Sequence, residues 1–242
     1  MSAQDTITTE QARALLRSAE TLIETGQRMN ACGLNQGTAG NLSVRIAGGL
    51  LITPSSLPYE RMQPRDLLAI DATGAPLPAA QRILADSGPS GPPRRPSSEW
   101  RLHADVLSER PEVDAVLHCH SIRATALACH GRGIPAFHYM VAQAGGADIR
   151  CAPYATFGTR ALSRLTAEAL RGRRACLLAH HGQVAVGATA GAALALAVEV
   201  ETLAAMYLES LRLGEPPVLG AEEMARVLER MHAMHYGGLT ED

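Results

Sequence analysis

Two short apolar runs each end in paired histidines: VDAVLHCHS at residues 113–121 and ACLLAHHG at residues 175–182. Runs this short and apolar read as buried strands, with helical spacing in the segments between them. Residues two apart in a strand share a face, so His118 and His120 point the same way, while only one of His180 and His181 can join them. Two half-polar rings side by side pack poorly unless something binds them together. A metal ion would do so, because neutral imidazole is the commonest metal ligand; the plain alternative is two strand-end histidines, each bonded to a neighbour. Three imidazoles leave one place on a tetrahedral zinc. His103, His130, His232 and His235 read as surface or satisfied core residues.

Alternating elements surround these runs. Thr8 and Gln11 form a capping box that opens a helix through about residue 31, stopped by Gly33. LSVRI (42–46), GLLITP (49–54) and LLAID (67–71) read as short strands, and QVAVG follows the second histidine pair as another. Helices are predicted from near Ser98 to Pro111 and over about 121–129, 158–171, 190–212 and 221–235. Residues 134–157 read as irregular, and 74–97, rich in Pro, Gly, Ser and Ala, as a long surface loop. Strand pairs such as 42–54 look antiparallel. The expectation is therefore one α/β domain over residues 1–242, a three-layer α/β/α sandwich with a mixed, mainly antiparallel central sheet. Residues 221–242 form its C-terminal helix and a mobile tail.

Composition narrows the partners. A chain of 242 residues with 46% hydrophobic residues can bury a full core. The net charge of −2, with no basic run, argues against a nucleic-acid or anionic-membrane surface. Cys32, Cys119, Cys129, Cys151 and Cys176 are odd in number and never spaced CxxC, which favours reduced thiols in a cytoplasm over disulfides or a cysteine-ligated zinc. The N-terminus carries no signal pattern, and no apolar run reaches about 18 residues, so no membrane span is expected.

The stretch GLNQGTAGNLSVR (33–45) is a glycine-punctuated loop running into a strand. Its small residues let backbone N–H groups approach an anion, and Thr38, Asn41 and Ser43 add side-chain donors; a tight turn would use the same glycines. It matches neither GxGxxG nor GxxxxGK[ST]. TPSS (53–56) and PSSEW (96–100) repeat the theme. Ser97 and Ser98 fall at a predicted helix N-terminus, which favours phosphate, with a plain N-cap as the alternative for Ser98. Glu99 reads either as a dipole-stabilised surface carboxylate or as a fourth metal ligand.

Taken in order, GLNQGTAGNLSVR, LITPSSLPYERM, PSSEWRLH, AVLHCHS, IPAFHYMVAQAGG, CAPYATFGTR and HHG resemble the zinc-dependent class II aldolase and adducin family over about residues 8–240. The likeness is closest to its fuculose-phosphate aldolase branch. It implies one Zn2+ per subunit on Glu99, His118, His120 and His181, with Glu99 also moving a proton. It implies a phosphate pocket of Thr38, Gly40, Asn41, Ser55, Ser56, Ser97 and Ser98. Tyr139 matches a tyrosine that reaches into a neighbouring subunit's site, and Tyr236 a tail tyrosine near the substrate. The implied assembly is a homotetramer with active sites at subunit interfaces. The implied reaction cleaves a ketose 1-phosphate to dihydroxyacetone phosphate and an aldehyde. The alternatives are a pentulose-phosphate 4-epimerase of the same family, which carries aspartate where this chain has Glu99, and a non-enzymatic adducin-like module. Ser56 stands where the family pattern has glycine, and Cys119 and Arg123 also depart from it. Tyr236, Met231 and Met234 are expected to cover the far end of the sugar, favouring apolar tails such as those of 5-deoxyribulose and 5-methylthioribulose 1-phosphate.

Overall fold

Seven strands share one sheet: β1 (Asn41–Ile46), β2 (Gly49–Ile52), β3 (Leu68–Ile70), β4 (Ala115–Cys119), β5 (Arg150–Ala152), β6 (Ala175–Leu178) and β7 (Gly182–Gly187). They lie in the order β3-β2-β1-β4-β7-β6-β5 in a computed structural model that describes residues 7–89 and 91–234. β5 pairs with β6 in parallel and every other pair is antiparallel, so the sheet is mixed and mainly antiparallel, as the sequence implies.

Strand alternation divides the interior into two cores. Ala115, Leu117 and Cys119 of β4, with Leu177 of β6 and Ala185 of β7, enter one core under α1 (Thr9–Ala31), α4 (Ile122–Cys129) and α6 (Ala190–Leu211). Val116, Cys176, Leu178, Val184 and Val186 enter the other, under α3 (Trp100–Glu109) and α5 (Arg160–Ala169). His118 has the parity of Val116, so its imidazole belongs to the α3 side. The α1 capping box is present, with the Gln11 N–H donating to Thr8 and the Thr8 N–H donating to Gln11. Gly33 just beyond this helix has φ +78°, a conformation glycine adopts without penalty.

Several expectations change. The segment 74–97 is not all loop: it holds α2 (Pro78–Ala85), which starts on a proline and buries Ala80 and Leu84. Its missing N–H costs Pro78 nothing in a first helical turn. Residues 134–157 contain β5 and a 3-10 helix, Tyr139–Ala144. α3 starts at Trp100 with Glu99 at the N-cap position and no side-chain cap bond, so Ser98 is not the cap. α6 is long and apolar enough by length and composition to cross a membrane, as the core helix of a globular domain also can be, although Glu199 and Glu201 interrupt its apolar run. Its Leu194, Ala197, Val200, Leu203 and Tyr207 are buried in the larger core, where each buried leucine contributes about 1.5–3 kcal/mol. α7 (Ala221–Ala233) adds Met224 and Met231 to that core.

Beyond α2 the chain returns to the sheet. The Arg94 guanidinium pairs with buried Asp66 at 2.9 Å. Pro96 then bridges Pro54, the Ser55 N–H donates to the Arg95 carbonyl, and the Ser97 N–H donates to the Thr53 carbonyl. PSSEW is thereby held against TPSS, two stretches more than forty residues apart in the chain.

Candidate active site

His118, His120 and His181 converge. Their ring centroids lie 4.6–5.0 Å apart, and each offers a nitrogen within 4.8 Å of the others. His118 lies near the end of β4 and His120 just past it. His181 sits in the turn joining β6 to β7, so strand alternation is not what selects it over His180. His180 takes a left-handed conformation, φ +56°, and its N–H donates to the Ala128 carbonyl. That turn places His180 beside Tyr154, at 5.9 Å between rings, and leaves His181 facing the other imidazoles. Burial pulls the His118 and His120 imidazoles down from their ordinary value, and takes His181 down to about 4, so all three are neutral near pH 7. His118 Nδ1 lies 2.9 Å from the Gln183 carbonyl. A carbonyl only accepts, so Nδ1 carries the proton and the Nε2 lone pair is left for the cluster.

Glu99 completes the group. Its Oε2 lies 3.3 Å from His118 Nε2 and its Oε1 3.4 Å from His181 Nε2. Burial pushes this carboxyl up, while attraction to His118 and His181 in their protonated forms and the Asn41 amide pull it below the usual range. Asn41 Nδ2 donates to Oε2 at 3.0 Å, while buried Oε1 has no hydrogen-bond donor. Three neutral imidazoles and one carboxylate with an unsatisfied buried oxygen are a donor set that fits a divalent cation. Behind Asn41 lies His103, fully buried, with Nε2 2.5 Å from Asn41 Oδ1 and Nδ1 2.8 Å from Ser43 Oγ. Burial takes the His103 imidazole down to about 3.

The cluster opens into a cleft of about 370 Å³ lined by hydroxyls, glycine and aromatic rings. Thr38, Gly40, Asn41, Ser55, Ser56, Ser97 and Ser98 all line it. The Ser97 hydroxyl accepts the Glu99 N–H, and Ser55 donates to the Pro96 carbonyl. Gly40 has φ +68°, and a Cβ there would lie 2.7 Å from the His118 carbonyl oxygen, so only glycine lets the loop approach β4 this closely. Ser56 adopts φ +59°, the conformation for which glycine is best suited, consistent with the departure read in the sequence. Ser43 does not line the cleft: it shares the α3-facing side of β1 with Asn41 but lies two residues further along the strand, buried against His103.

Other expected residues lie elsewhere. Tyr139 is half exposed in its 3-10 helix and does not line this chain's own cleft. Met231 is buried on the apolar stripe of α7, and Met234 is exposed away from the cleft, so neither covers the sugar end within this chain. Tyr236 lies outside the described residues. In their place Tyr154 and Phe157, exposed at 61% and 64%, line the cleft with His180. Sequence reasoning missed all three, although two exposed rings in the irregular segment CAPYATFGTR were a usable signal. It missed Asn35 as well, whose buried amide accepts the His120 N–H at 3.4 Å and ties the glycine loop to the histidines.

Comparison with known proteins places this geometry. Residues 20–208 match the class II aldolase and adducin N-terminal domain. The chain is 54% identical over 209 residues to a 5-methylthioribulose-1-phosphate/5-deoxyribulose-1-phosphate aldolase of Rhodospirillum rubrum, covering 86% of this chain and 88% of that one. It is 47% identical over 213 residues to an L-fuculose phosphate aldolase of Escherichia coli K12, covering 88% and 93%. A solved structure of an L-fuculose 1-phosphate aldolase superposes with a TM-score of 0.80 at 34% identity, covering 95% of this chain and 99% of that one. The chain belongs to the class II aldolase and adducin family. Within it the chain is an enzyme, a carbon–carbon lyase of a metal-dependent class.

Proposed function

We propose that the chain binds one zinc ion per subunit through Glu99, His118, His120 and His181 and cleaves a ketose 1-phosphate to dihydroxyacetone phosphate and an aldehyde. The observation that carries this reading is the convergence of three neutral imidazoles on a buried carboxylate with one unpartnered oxygen. Zinc accepts such nitrogen and carboxylate donors in tetrahedral sites. The sequence contains no lysine, which removes the lysine Schiff base as a route to aldol cleavage.

When bound, the ion supplies a Lewis acid for the substrate's carbonyl. The protein's own groups do the rest. Thr38, Gly40, Asn41, Ser55, Ser56, Ser97 and Ser98 hold the phosphate by hydroxyls and backbone N–H groups, helped by the N-terminus of α3. This remote anchor fixes the bond between carbons 3 and 4 in place. A general base removes the proton of the carbon-4 hydroxyl, the carbon–oxygen double bond forms, and the electron pair of the broken bond stays with the phosphate-bearing half. Glu99, ionised at rest, takes up a proton from the cleft and delivers it to carbon 3, which balances the proton that the base took from the carbon-4 hydroxyl and releases. The base is Tyr139 of a neighbouring copy, a role supported by its exposure and by its place outside its own chain's cleft. Its supply from a neighbour goes with a homotetramer having sites at subunit interfaces. Tyr236, by resemblance, contributes to binding the substrate. Five free cysteines support a reducing cytoplasm.

Tyr154 and Phe157 give the cleft an apolar wall, which supports a sugar phosphate with an apolar tail: 5-methylthioribulose or 5-deoxyribulose 1-phosphate at least as readily as L-fuculose 1-phosphate. Glu99, where the epimerase branch has aspartate, favours cleavage over 4-epimerisation. The test is kcat/KM for the three phosphates on one preparation, read as free dihydroxyacetone phosphate, with and without chelator. A hundredfold preference for fuculose 1-phosphate overturns the apolar-tail assignment. Full activity after metal removal, or inactivation by borohydride with substrate, overturns the metal route.

A further inference from the structure

We infer that His103 is a positioning residue that acts through Asn41 to give the two oxygens of Glu99 different jobs, a step that rests on the role proposed for Glu99. Every group in this chain of contacts is buried: Ser43, His103, Asn41 and Glu99 expose 1%, 0%, 4% and 6% of their surfaces. Water therefore does not supply a missing partner, and the hydrogens must follow from the heavy atoms.

The direction is fixed from the carboxylate backwards. Ionised Glu99 only accepts, so the Asn41 atom 3.0 Å from Oε2 is the amide nitrogen. The opposite amide orientation would set two oxygens against each other. The Asn41 oxygen then faces His103 Nε2, which must carry the proton. His103 Nδ1 is left with a lone pair, and the Ser43 hydroxyl donates to it at 2.8 Å. Three donations run one way: Ser43 to His103, His103 to Asn41, Asn41 to Glu99. The residues come from β1, from the middle of α3 and from its N-cap, so the relay ties the carboxylate to the sheet. It grips only Oε2. Oε1 is left without a donor and next to His181, free to carry the proton to carbon 3. Asn41, assigned by resemblance to the phosphate, has its amide oxygen and one amide hydrogen committed here.

The test is a double-mutant cycle on the metal-loaded enzyme with His103→Ala, Glu99→Ala and the double variant, together with bound-metal content, Tm and a crystal structure of metal-free His103→Ala. Second-layer partners of this type change activity by about tenfold to a hundredfold. His103→Ala should therefore lower kcat by about that factor with KM little changed. The double variant should be no slower than Glu99→Ala alone, and the Glu99 carboxylate should leave its position in the metal-free crystal. Losses that multiply in the double variant, or an unmoved Glu99 in the crystal, overturn the relay. If His103→Ala does not fold, Ser43→Ala enters the same cycle, where a kcat equal to wild type overturns it. Wild-type kcat in Glu99→Ala would instead overturn the role proposed for Glu99, leaving the crystal to decide the relay separately.

Discussion

Gly40 is where the smallest change has the most calculable cost. Its φ is +68°, and an added Cβ would meet the His118 carbonyl oxygen at 2.7 Å and Asn35 Oδ1 at 3.1 Å. Gly37 has φ +63° in the same loop with nothing within 4 Å, and so is the matched control. Left-handed backbone costs an L side chain about 1–2 kcal/mol, which is the whole expected loss for Gly37→Ala. Gly40→Ala adds about 1–3 kcal/mol of overpacking, because the obstacle is main chain on β4 and cannot rotate away. The sum is about 2–5 kcal/mol. In a chain of this size each kcal/mol moves Tm by about 2–4 °C, giving losses of about 2–8 °C for Gly37→Ala and about 4–20 °C for Gly40→Ala. Scanning calorimetry after chelation measures both without any contribution from bound ion. A Gly40→Ala curve indistinguishable from that of Gly37→Ala would refute the close approach to β4.

Three further outcomes follow from the same geometry. His181→Ala should strip bound metal while His180→Ala keeps it, measured by elemental analysis of purified protein; equal losses would break the assignment. Leu84→Ala should cost about 2–5 kcal/mol in urea unfolding, and a near-neutral result would return this segment to surface loop. Arg94→Ala removes a partly exposed ion pair with Asp66 worth about 1 kcal/mol, and because the pair steadies the chain before Ser97, KM should rise about fivefold with kcat kept. Unchanged KM in steady-state assays would show that the pair does not reach the cleft.

The sequence was most informative where chemistry depends on local spacing. His118 and His120 share a direction because they are two apart on an extended segment, and no long-range information is needed for that. His181 and not His180 faces the other imidazoles, and the reason is a left-handed turn, which strand alternation does not encode. α2 was hidden by brevity: it has only 8 residues, set among Pro and Gly, although Pro78 at its start and the Ala80–Leu84 spacing were a fair signal. β5 has 3 residues and exists through pairing with β6, which no local pattern encodes. The relay behind Glu99 was illegible because Ser43 and His103 are 60 positions apart. Met231 was placed near the sugar although Met224, Val227, Leu228 and Met231 already form the 3–4 spacing of a core-facing stripe.

Glu99, the His118–His120 pair and His181 come from three stretches of chain, and between the second and third lie α4, β5, α5 and β6. A cation that binds only when all three are assembled acts as a reversible staple across the middle of the sheet. At a free concentration a thousandfold above its Kd, such a ligand shifts the folding balance by about 4 kcal/mol, comparable to much of a domain's net stability. Survival of the polypeptide against proteases would then track the free ion in its surroundings. Scarcity of metal would thin out the protein itself as well as idle the copies that remain.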